Sequence, residues 1–219
     1  WWRIKSMWIY PIKSCKGVEL NRGTLGHAGM HYDRHFAFAQ LKSPFPSDNT
    51  ISEKEKPAHK WEIITRKQYP RLENLRTEMW IPDSSVDSFA PHAEDVESGG
   101  VIIVSFPWRN QGWRAKIANW GAALMGTVPE IQFRIPFDPS PVQIDREGYT
   151  YEKLTVWNHD ITALNMEVKI PEELRYYLGI SNKLGIFRTD SSKKHEICKS
   201  AIELENNTHS QPILGFQDA

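Results

Sequence analysis

The most informative segment of the chain is Ile9-Tyr10-Pro11-Ile12-Lys13-Ser14-Cys15-Lys16-Gly17-Val18. It continues a run, residues 4–10, that is rich in β-branched and aromatic residues and ends at a proline. Such a pattern is typical of a β-strand followed by a turn. Lys13 and Ser14 occupy this turn, where an ammonium group, a hydroxyl group and backbone N–H groups can meet an anion. The segment therefore predicts a strand that leads into a turn, whose polar groups either bind an anion or are solvated surface groups.

Further short strands are predicted along the chain, separated by turns that contain Gly and Pro. They cover residues 35–39, 61–65, 75–81, 101–106, 130–136, 153–157 and 184–188. Between the last two, a proline and two acidic residues followed by Gly179 mark a short helix over residues 171–178. Short strands with turns of this kind favour a small barrel or sandwich. The fold class is therefore expected to be mainly β with a few helices (α+β).

The composition excludes several classes of protein. The chain has 219 residues, of which 40% are hydrophobic and 25% charged, as in an ordinary globular protein. Its 27 basic and 27 acidic side chains give no positive surplus for binding nucleic acid. Two cysteines do not make a disulfide framework, which favours a reducing, intracellular compartment. The apolar run at residues 101–104 is far shorter than the ~20 residues that a spanning helix needs.

Three histidines are spaced at four-residue intervals, His27, His31 and His35. On a helix they would share one face and could bind zinc. Gly26 and Gly29 interrupt the segment, however, and favour histidines of a loop and a strand instead. No metal-ligating residue is therefore assigned from the sequence.

Cys15 has two interpretations. It lies beside basic residues in the segment Lys13-Ser14-Cys15-Lys16, and neighbouring lysines would lower the pKa of its thiol and make it a possible nucleophile. The alternative is a half-buried small residue at the end of a strand. The sequence leaves both open, and no catalytic residue is assigned.

Two other turns carry arginines. Arg34 precedes the strand predicted over residues 35–39, and Arg66 and Arg71 lie in a turn between two further strands. A guanidinium group suits bidentate binding of a phosphate. Taken alone, these residues predict either an anion-binding rim on a β-barrel or solvated surface charge.

Two segments in the middle of the chain suggest surfaces for partners. Residues 83–97 carry five acidic side chains and neither Lys nor Arg. Trp113, Ile117, Trp120 and Leu124 recur at helical spacing. The stripe predicts an amphipathic helix, either packed on the barrel or lying on a membrane surface.

The segment at residues 9–18 resembles the opening of the MOSC N-terminal β-barrel domain. That domain precedes the MOSC domain in the mitochondrial amidoxime-reducing component and in the C-terminal part of molybdenum cofactor sulfurases. Residues 32–36 resemble the Asp-Arg turn of the family, and residues 65–72 resemble its Thr-x-Arg…Pro-Arg-Leu segment. Three similar segments in the same order strengthen the resemblance.

Later segments resemble the entry to the MOSC domain itself, at residues 156–157, 171–178, 182–184 and 216–219. The resemblance therefore implies a MOSC N-terminal β-barrel-like domain followed by an incomplete MOSC β-barrel. The expected division is residues 1–150 for the first domain, with an insertion at about 83–150. Residues 151–219 are then a linker and the beginning of the MOSC domain, in a chain truncated at both ends.

The resemblance also implies a cofactor, molybdopterin (the molybdenum cofactor). Lys13 and Ser14 match the positions that hold its phosphate and pterin end, and Arg34 matches the arginine that joins them. Arg66 and Arg71 are expected either to line the same cleft or to brace the barrel. The cysteine that ligates molybdenum in the family lies farther along the MOSC domain, so this chain is expected to be inactive alone.

The parent protein is then expected to be a molybdenum-dependent oxidoreductase that reduces small N-hydroxylated substrates with electrons from a b-type cytochrome. An anchor before Trp1 would place it at a membrane, and the expected location is cytoplasmic or mitochondrial, at the outer membrane. One alternative is the cofactor-carrying part of a molybdenum cofactor sulfurase, a transferase whose desulfurase half uses pyridoxal phosphate. Another is a non-catalytic barrel that recruits partners through residues 83–97 or the Trp-rich helix.

Overall fold

The computed structural model describes residues 3–26, 29–42, 59–81, 97–108, 129–156 and 159–189. Within these ranges the chain is mainly β, which confirms the predicted fold class. Two helices, α1 (Pro141–Glu147) and α2 (Glu172–Leu178), and two 3₁₀ segments, Pro70–Asn74 and Glu167–Lys169, lie between the strands. The strands are β1 (Met7–Ile9), β2 (Val18–Leu20), β3 (Leu25–Gly26), β4 (Gly29–Met30), β5 (Phe36–Lys42), β6 (Lys60–Ile63), β7 (Arg76–Trp80), β8 (Val101–Pro107), β9 (Glu130–Pro136), β10 (Thr150–Val156), β11 (His159–Asn165) and β12 (Leu184–Arg188).

Five strands form a closed barrel in the order β10-β11-β12-β5-β6. The neighbouring pairs are antiparallel, except that β10 and β6 pair in parallel. One buried residue from each strand enters a small shared cluster, in which Trp61 and Phe187 meet with ring centroids 5.1 Å apart. The combination of large and small side chains fills a narrow interior. The members of the cluster are Ala39, Trp61, Leu154, Ala163 and Phe187.

The larger core lies between the barrel and a three-stranded antiparallel sheet, β7-β8-β9. Strand β5 is buried on both faces: Phe36 and Phe38 belong to the larger core, and Ala39 belongs to the barrel cluster. The sheet contributes Phe106, and helix α2 contributes Leu174. Burying each large apolar side chain contributes roughly 1.5–3 kcal/mol to folding. The larger core therefore holds the barrel and the sheet together, next to the separate cluster inside the barrel.

The barrel includes strands from both sides of residue 150, where the sequence predicts a boundary between two domains. The barrel takes β5 and β6 from one side of this position and β10, β11 and β12 from the other. Strands β8 and β9, which fall in the segment predicted to be an insertion, supply Val104 and Ile135 to the larger core. Strand pairing thus brings together residues that are far apart in sequence. The division at residue 150 stays a prediction.

The eight predicted strands correspond to β1, β5, β6, β7, β8, β9, β10 and β12. The ends of β9 and β12 are as predicted and those of the other six are shifted, and the predicted helix corresponds to α2. Strands β2, β3, β4 and β11 and helix α1 are not among the predicted elements. Helix α1 nevertheless has clear sequence signals. The Ser140 hydroxyl accepts from the Gln143 N–H at 3.3 Å, Pro141 follows, and Gly148 ends the helix with φ 72°.

Several sequence predictions lie outside the described residues. They are the Trp stripe at residues 113–124, the acidic segment apart from Glu97, His27, and residues 157 and 216–219 of the segments that resemble the MOSC domain. No helix in the described ranges is long and apolar enough to pass through a lipid bilayer.

Candidate functional site

The turn that carries Lys13 and Ser14 is held against the start of β5. Ile12 forms a parallel bridge with Phe36. On either side of this bridge, the Lys13 N–H donates to the Phe36 carbonyl at 2.8 Å, and the Phe36 N–H donates to the Pro11 carbonyl at 3.0 Å. The Cys15 N–H then closes the turn by donating to the Ile12 carbonyl at 3.2 Å. The backbone of the turn is therefore fixed by the barrel.

Three residues near this turn have the left-handed backbone conformation that favours glycine. They are Ser14 (φ 69°), Tyr32 (φ 65°) and Arg34 (φ 56°). Such a conformation costs an L-residue about 1–2 kcal/mol, which the surrounding structure must offset. Ser14 has the positive φ that the third residue of a type II turn requires. The strain is therefore located at two residues of the predicted anion site, Ser14 and Arg34.

A second turn is tied to the end of β1. The Asp33 carboxylate accepts a hydrogen bond from the Tyr10 N–H at 2.8 Å, and the Arg34 N–H donates to the Tyr10 carbonyl at 2.8 Å. The Arg34 Nε lies 3.7 Å from Asp33 Oδ2, and the Arg34 side chain remains 64% exposed. The guanidinium group is therefore directed by the backbone toward the same region as Lys13.

The two turns border an open cleft of about 680 Å³. This volume is in the range of sites that bind small molecules. Four cationic side chains and one carboxylate line it, so the cleft carries a positive charge. The lining residues are Trp8, Tyr10, Lys13, Ser14, Cys15, Lys16, Gly17, Arg34, Arg66 and Glu73.

Lys13 is the cation most affected by this environment. Burial lowers the pKa of its ammonium group, and the positive charge of Arg34 lowers it further. Both effects disfavour the charged form of the lysine. A bound anion would act in the opposite direction, because it would favour the ammonium ion and offset the repulsion between Lys13 and Arg34.

Cys15 does not have the properties of a nucleophile. Only 3% of its surface is exposed, and its side chain belongs to the larger core together with Ile12. Burial raises the pKa of its thiol, which contradicts the lowering suggested by the neighbouring lysines. Cys15 is therefore a small core residue next to the cleft. This agrees with its interpretation as a small packed residue at the end of a strand, although it is more completely buried than expected.

The structure separates the other two predicted arginines. Arg66 lines the cleft, whereas Arg71 lies outside it. The Arg71 Nη1 donates to the Tyr177 carbonyl at 2.6 Å, and its guanidinium carbon lies 5.6 Å from the centre of the Tyr177 ring. Arg71 therefore joins the 3₁₀ segment after β6 to helix α2.

Six residues that line the cleft are not among the predicted cofactor-binding residues. Three of them lie directly after the first turn or in the 3₁₀ segment after β6: Lys16, Gly17 and Glu73. The Lys16 N–H donates to the Leu75 carbonyl at 3.2 Å, which brings the segment of Glu73 to the first turn. Cys15 is the fourth of these residues. The last two, Trp8 and Tyr10, have a sequence signal, since they lie on either side of the buried Ile9 at the end of β1.

Two of the three histidines lie within the described residues, and neither of them is in a helix. His31 lies in a turn after β4, and His35 lies directly before β5, so the helix required for a zinc site is not present at these two positions. Within the described ranges, no three His, Cys, Asp or Glu side chains come together in an arrangement suited to a metal ion.

Comparison with known proteins supports the sequence resemblance. Residues 1–112 match the family model of the MOSC N-terminal beta barrel domain. No curated protein and no solved structure matches the chain significantly. The matched range contains every residue that lines the cleft and also Arg71, whereas β9–β12 follow its end. The MOSC domain expected in the later part of the chain stays a prediction.

Proposed function

Because the chain belongs to the MOSC N-terminal beta barrel domain family, we propose that its cationic cleft binds the phosphate and pterin end of the molybdenum cofactor. The observation that carries this proposal is the position of Lys13, Ser14 and Arg34 along one cleft. The three residues come from two turns that backbone hydrogen bonds connect through Tyr10 and Phe36.

The residues present fit the phosphate of this cofactor. A phosphate monoester carries about two negative charges near neutral pH. Lys13 supplies an ammonium group, Arg34 a guanidinium fork and Ser14 a hydroxyl donor, which are the groups that bind such an anion. The lowered pKa of Lys13 fits this role, because an anion would offset both the burial of the charge and its repulsion by Arg34.

The cleft residues fit the phosphate and pterin end of the cofactor rather than its metal. The described residues include no metal-binding cluster, and the buried Cys15 is unsuited to ligating molybdenum. Molybdenum supplies two-electron redox chemistry when the cofactor is bound. The residues of this chain bind the cofactor and orient it, and the Arg71–Tyr177 contact holds the segment that carries Arg66.

We further propose that the cofactor-binding cleft serves an intracellular oxidoreductase that reduces small N-hydroxylated substrates with electrons from a b-type cytochrome. This part of the proposal rests on the resemblance of residues 9–18, 32–36 and 65–72 to the MOSC N-terminal domain, which the amidoxime-reducing proteins share with molybdenum cofactor sulfurases. A reconstituted full-length parent protein that reduces no N-hydroxylated compound would contradict it without affecting the assignment of the cleft.

Cofactor retention tests the assignment of the cleft. The purified chain is incubated anaerobically with molybdenum cofactor, desalted, and analysed for molybdenum and for the fluorescent oxidation product of the pterin. Lys13→Ala and Arg34→Ala should each weaken retention by about tenfold or more, because each removes a charge-assisted hydrogen bond. Arg175→Ala is the matched control, since Arg175 pairs with Glu172 on helix α2 and does not line the cleft. Unchanged retention in both cleft variants would contradict the proposal.

A further inference from the structure

Two aromatic side chains stand on one face of the first strand, beside the cationic residues of the cleft. Trp8 is 48% exposed and Tyr10 is 42% exposed, while Ile9 between them is completely buried. Successive side chains of a strand point to opposite faces, so Trp8 and Tyr10 share the face that Ile9 does not. Both residues line the cleft. Their rings therefore form an aromatic wall next to its positive charges.

The Tyr10 ring is held in place by the backbone of Gly17. A Cβ atom added at Gly17 would lie 3.0 Å from Tyr10 Cε1 and 3.2 Å from Tyr10 Cζ, so the glycine backbone already lies against the ring. The backbone of Tyr10 is bonded on both sides to the turn of Asp33 and Arg34. A ring that is already positioned loses little side-chain entropy when a ligand binds.

The Trp8 ring is also oriented. Its Nε1–H donates to the Ser6 hydroxyl at 3.2 Å, and its backbone pairs with Glu19 of β2. The polar edge of the indole is therefore satisfied within the protein. Its apolar surface at the cleft is available to a ligand, and burying an aromatic side chain of this size is favourable.

We propose that Trp8 and Tyr10 receive the planar ring of the ligand, so that the cleft selects a phosphorylated heteroaromatic compound over a phosphate ester on an aliphatic carrier. The inference rests on the proposed function and adds the residues that recognise the ring. The Tyr10 carbonyl is bonded to the N–H of Arg34, so the aromatic wall and the phosphate-binding guanidinium start from adjacent backbone positions. Stacking of a heteroaromatic ring on an aromatic side chain contributes enough to change affinity by about tenfold.

Two soluble probes separate recognition of the ring from recognition of the phosphate. The first is 6-hydroxymethylpterin phosphate, and the second is glycerol 3-phosphate, which carries the same type of phosphate ester without a ring. Titration calorimetry on the chain measures the affinity for each. The wild-type chain should bind the pterin phosphate about tenfold more tightly, because only this probe reaches the aromatic wall.

Trp8→Leu should weaken binding of the pterin phosphate by about tenfold and leave binding of glycerol 3-phosphate unchanged, which also shows that the variant is folded. Trp8→Phe should retain most of the preference. Trp80→Leu is the matched control, since Trp80 is 46% exposed and lies outside the cleft. Equal affinities of the wild type for the two probes, or an unchanged preference in Trp8→Leu, would overturn the inference.

Lys13→Met distinguishes this inference from the proposed function. It should weaken binding of both probes to the same extent, because it removes a phosphate contact and leaves the aromatic wall intact. If Lys13→Met weakens both probes while Trp8→Leu weakens neither, the phosphate site stands and the aromatic wall is refuted. If Lys13→Met changes neither affinity, the assignment of the phosphate site itself is refuted, and with it the inference.

Discussion

The Arg34 N–H donates to the Tyr10 carbonyl at 2.8 Å, and this bond joins the two basic turns of the protein. Tyr10 ends the run of residues that includes β1, and Arg34 precedes β5, so neither residue is near the other in sequence. The Asp33 carboxylate strengthens the connection by accepting from the Tyr10 N–H at 2.8 Å. The cleft therefore depends on a backbone contact that lies beneath its charged side chains.

The first prediction concerns Asp33. Asp33→Ala should lower the free energy of unfolding by roughly 0.5–1.5 kcal/mol, because it removes an exposed hydrogen bond from the Tyr10 N–H to the Asp33 carboxylate. The variant should also weaken binding of glycerol 3-phosphate, since Arg34 is then less well positioned. Urea denaturation and calorimetry measure the two effects. Asp33→Asn, which keeps an acceptor oxygen, should be closer to the wild type, and Asp145→Ala on helix α1 should be neutral. Equal stability of Asp33→Ala and Asp145→Ala would contradict this account.

The second prediction separates backbone strain from hydrogen bonding at Ser14. Its φ of 69° suits glycine, so Ser14→Gly should be more stable than Ser14→Ala by about 1 kcal/mol. Both variants lack the hydroxyl, and both should bind phosphate esters equally weakly. Urea denaturation measures the first difference and calorimetry the second. Phosphate affinity restored by Ser14→Gly would show that the hydroxyl is not a ligand contact.

The third prediction is a pH dependence. The pKa of Lys13 is lowered by burial and by Arg34, so the lysine loses its charge at a lower pH than an ordinary lysine. Affinity for glycerol 3-phosphate should therefore decrease as the pH rises through this lowered pKa. Lys13→Arg should remove the decrease, because a guanidinium stays charged throughout. Calorimetry between neutral and alkaline pH measures both proteins, and identical profiles would exclude Lys13 as the titrating group.

The lowered pKa of Lys13 also predicts that the stability of the protein changes with pH. The unfolded chain binds more protons at Lys13 than the folded chain between the lowered pKa and the ordinary lysine value. The free energy of unfolding attributable to Lys13 should therefore rise across this window, and the cost of the buried charge should be fully present below it. Comparison of urea denaturation for the wild type and Lys13→Met at several pH values isolates this contribution.

The fourth prediction concerns Cys15. Because its side chain is buried and burial raises the pKa of its thiol, Cys15 should react slowly with iodoacetamide in the native protein and rapidly in urea. A Cys198→Ser background leaves Cys15 as the only thiol, because the chain contains two cysteines. Cys15→Ser should retain molybdenum while losing about 1–3 kcal/mol of stability, since a hydroxyl replaces the thiol in an apolar site. Loss of molybdenum with unchanged stability would make Cys15 a ligand.

Much of the local structure could be predicted from the sequence. Alternating or β-branched residues located eight of the strands, and Pro171 and Gly179 marked the ends of helix α2. The short strands β2, β3 and β4 were missed because two or three residues carry too little periodicity. Helix α1 could have been found, since Ser140, Pro141 and Gly148 are conventional signals for the start and end of a helix.

The sequence by itself determined the chemistry that each turn offers, because Lys13, Ser14 and Arg34 sit beside prolines, acids and strand ends that specify local backbone structure. Only the tertiary structure decided which of these groups share a cleft. It placed Arg66 at the cleft and Arg71 against Tyr177, although both arginines lie in one short segment. The physical reason is that strand pairing and core packing act between distant residues, and their free energy depends on the whole barrel rather than on any local pattern.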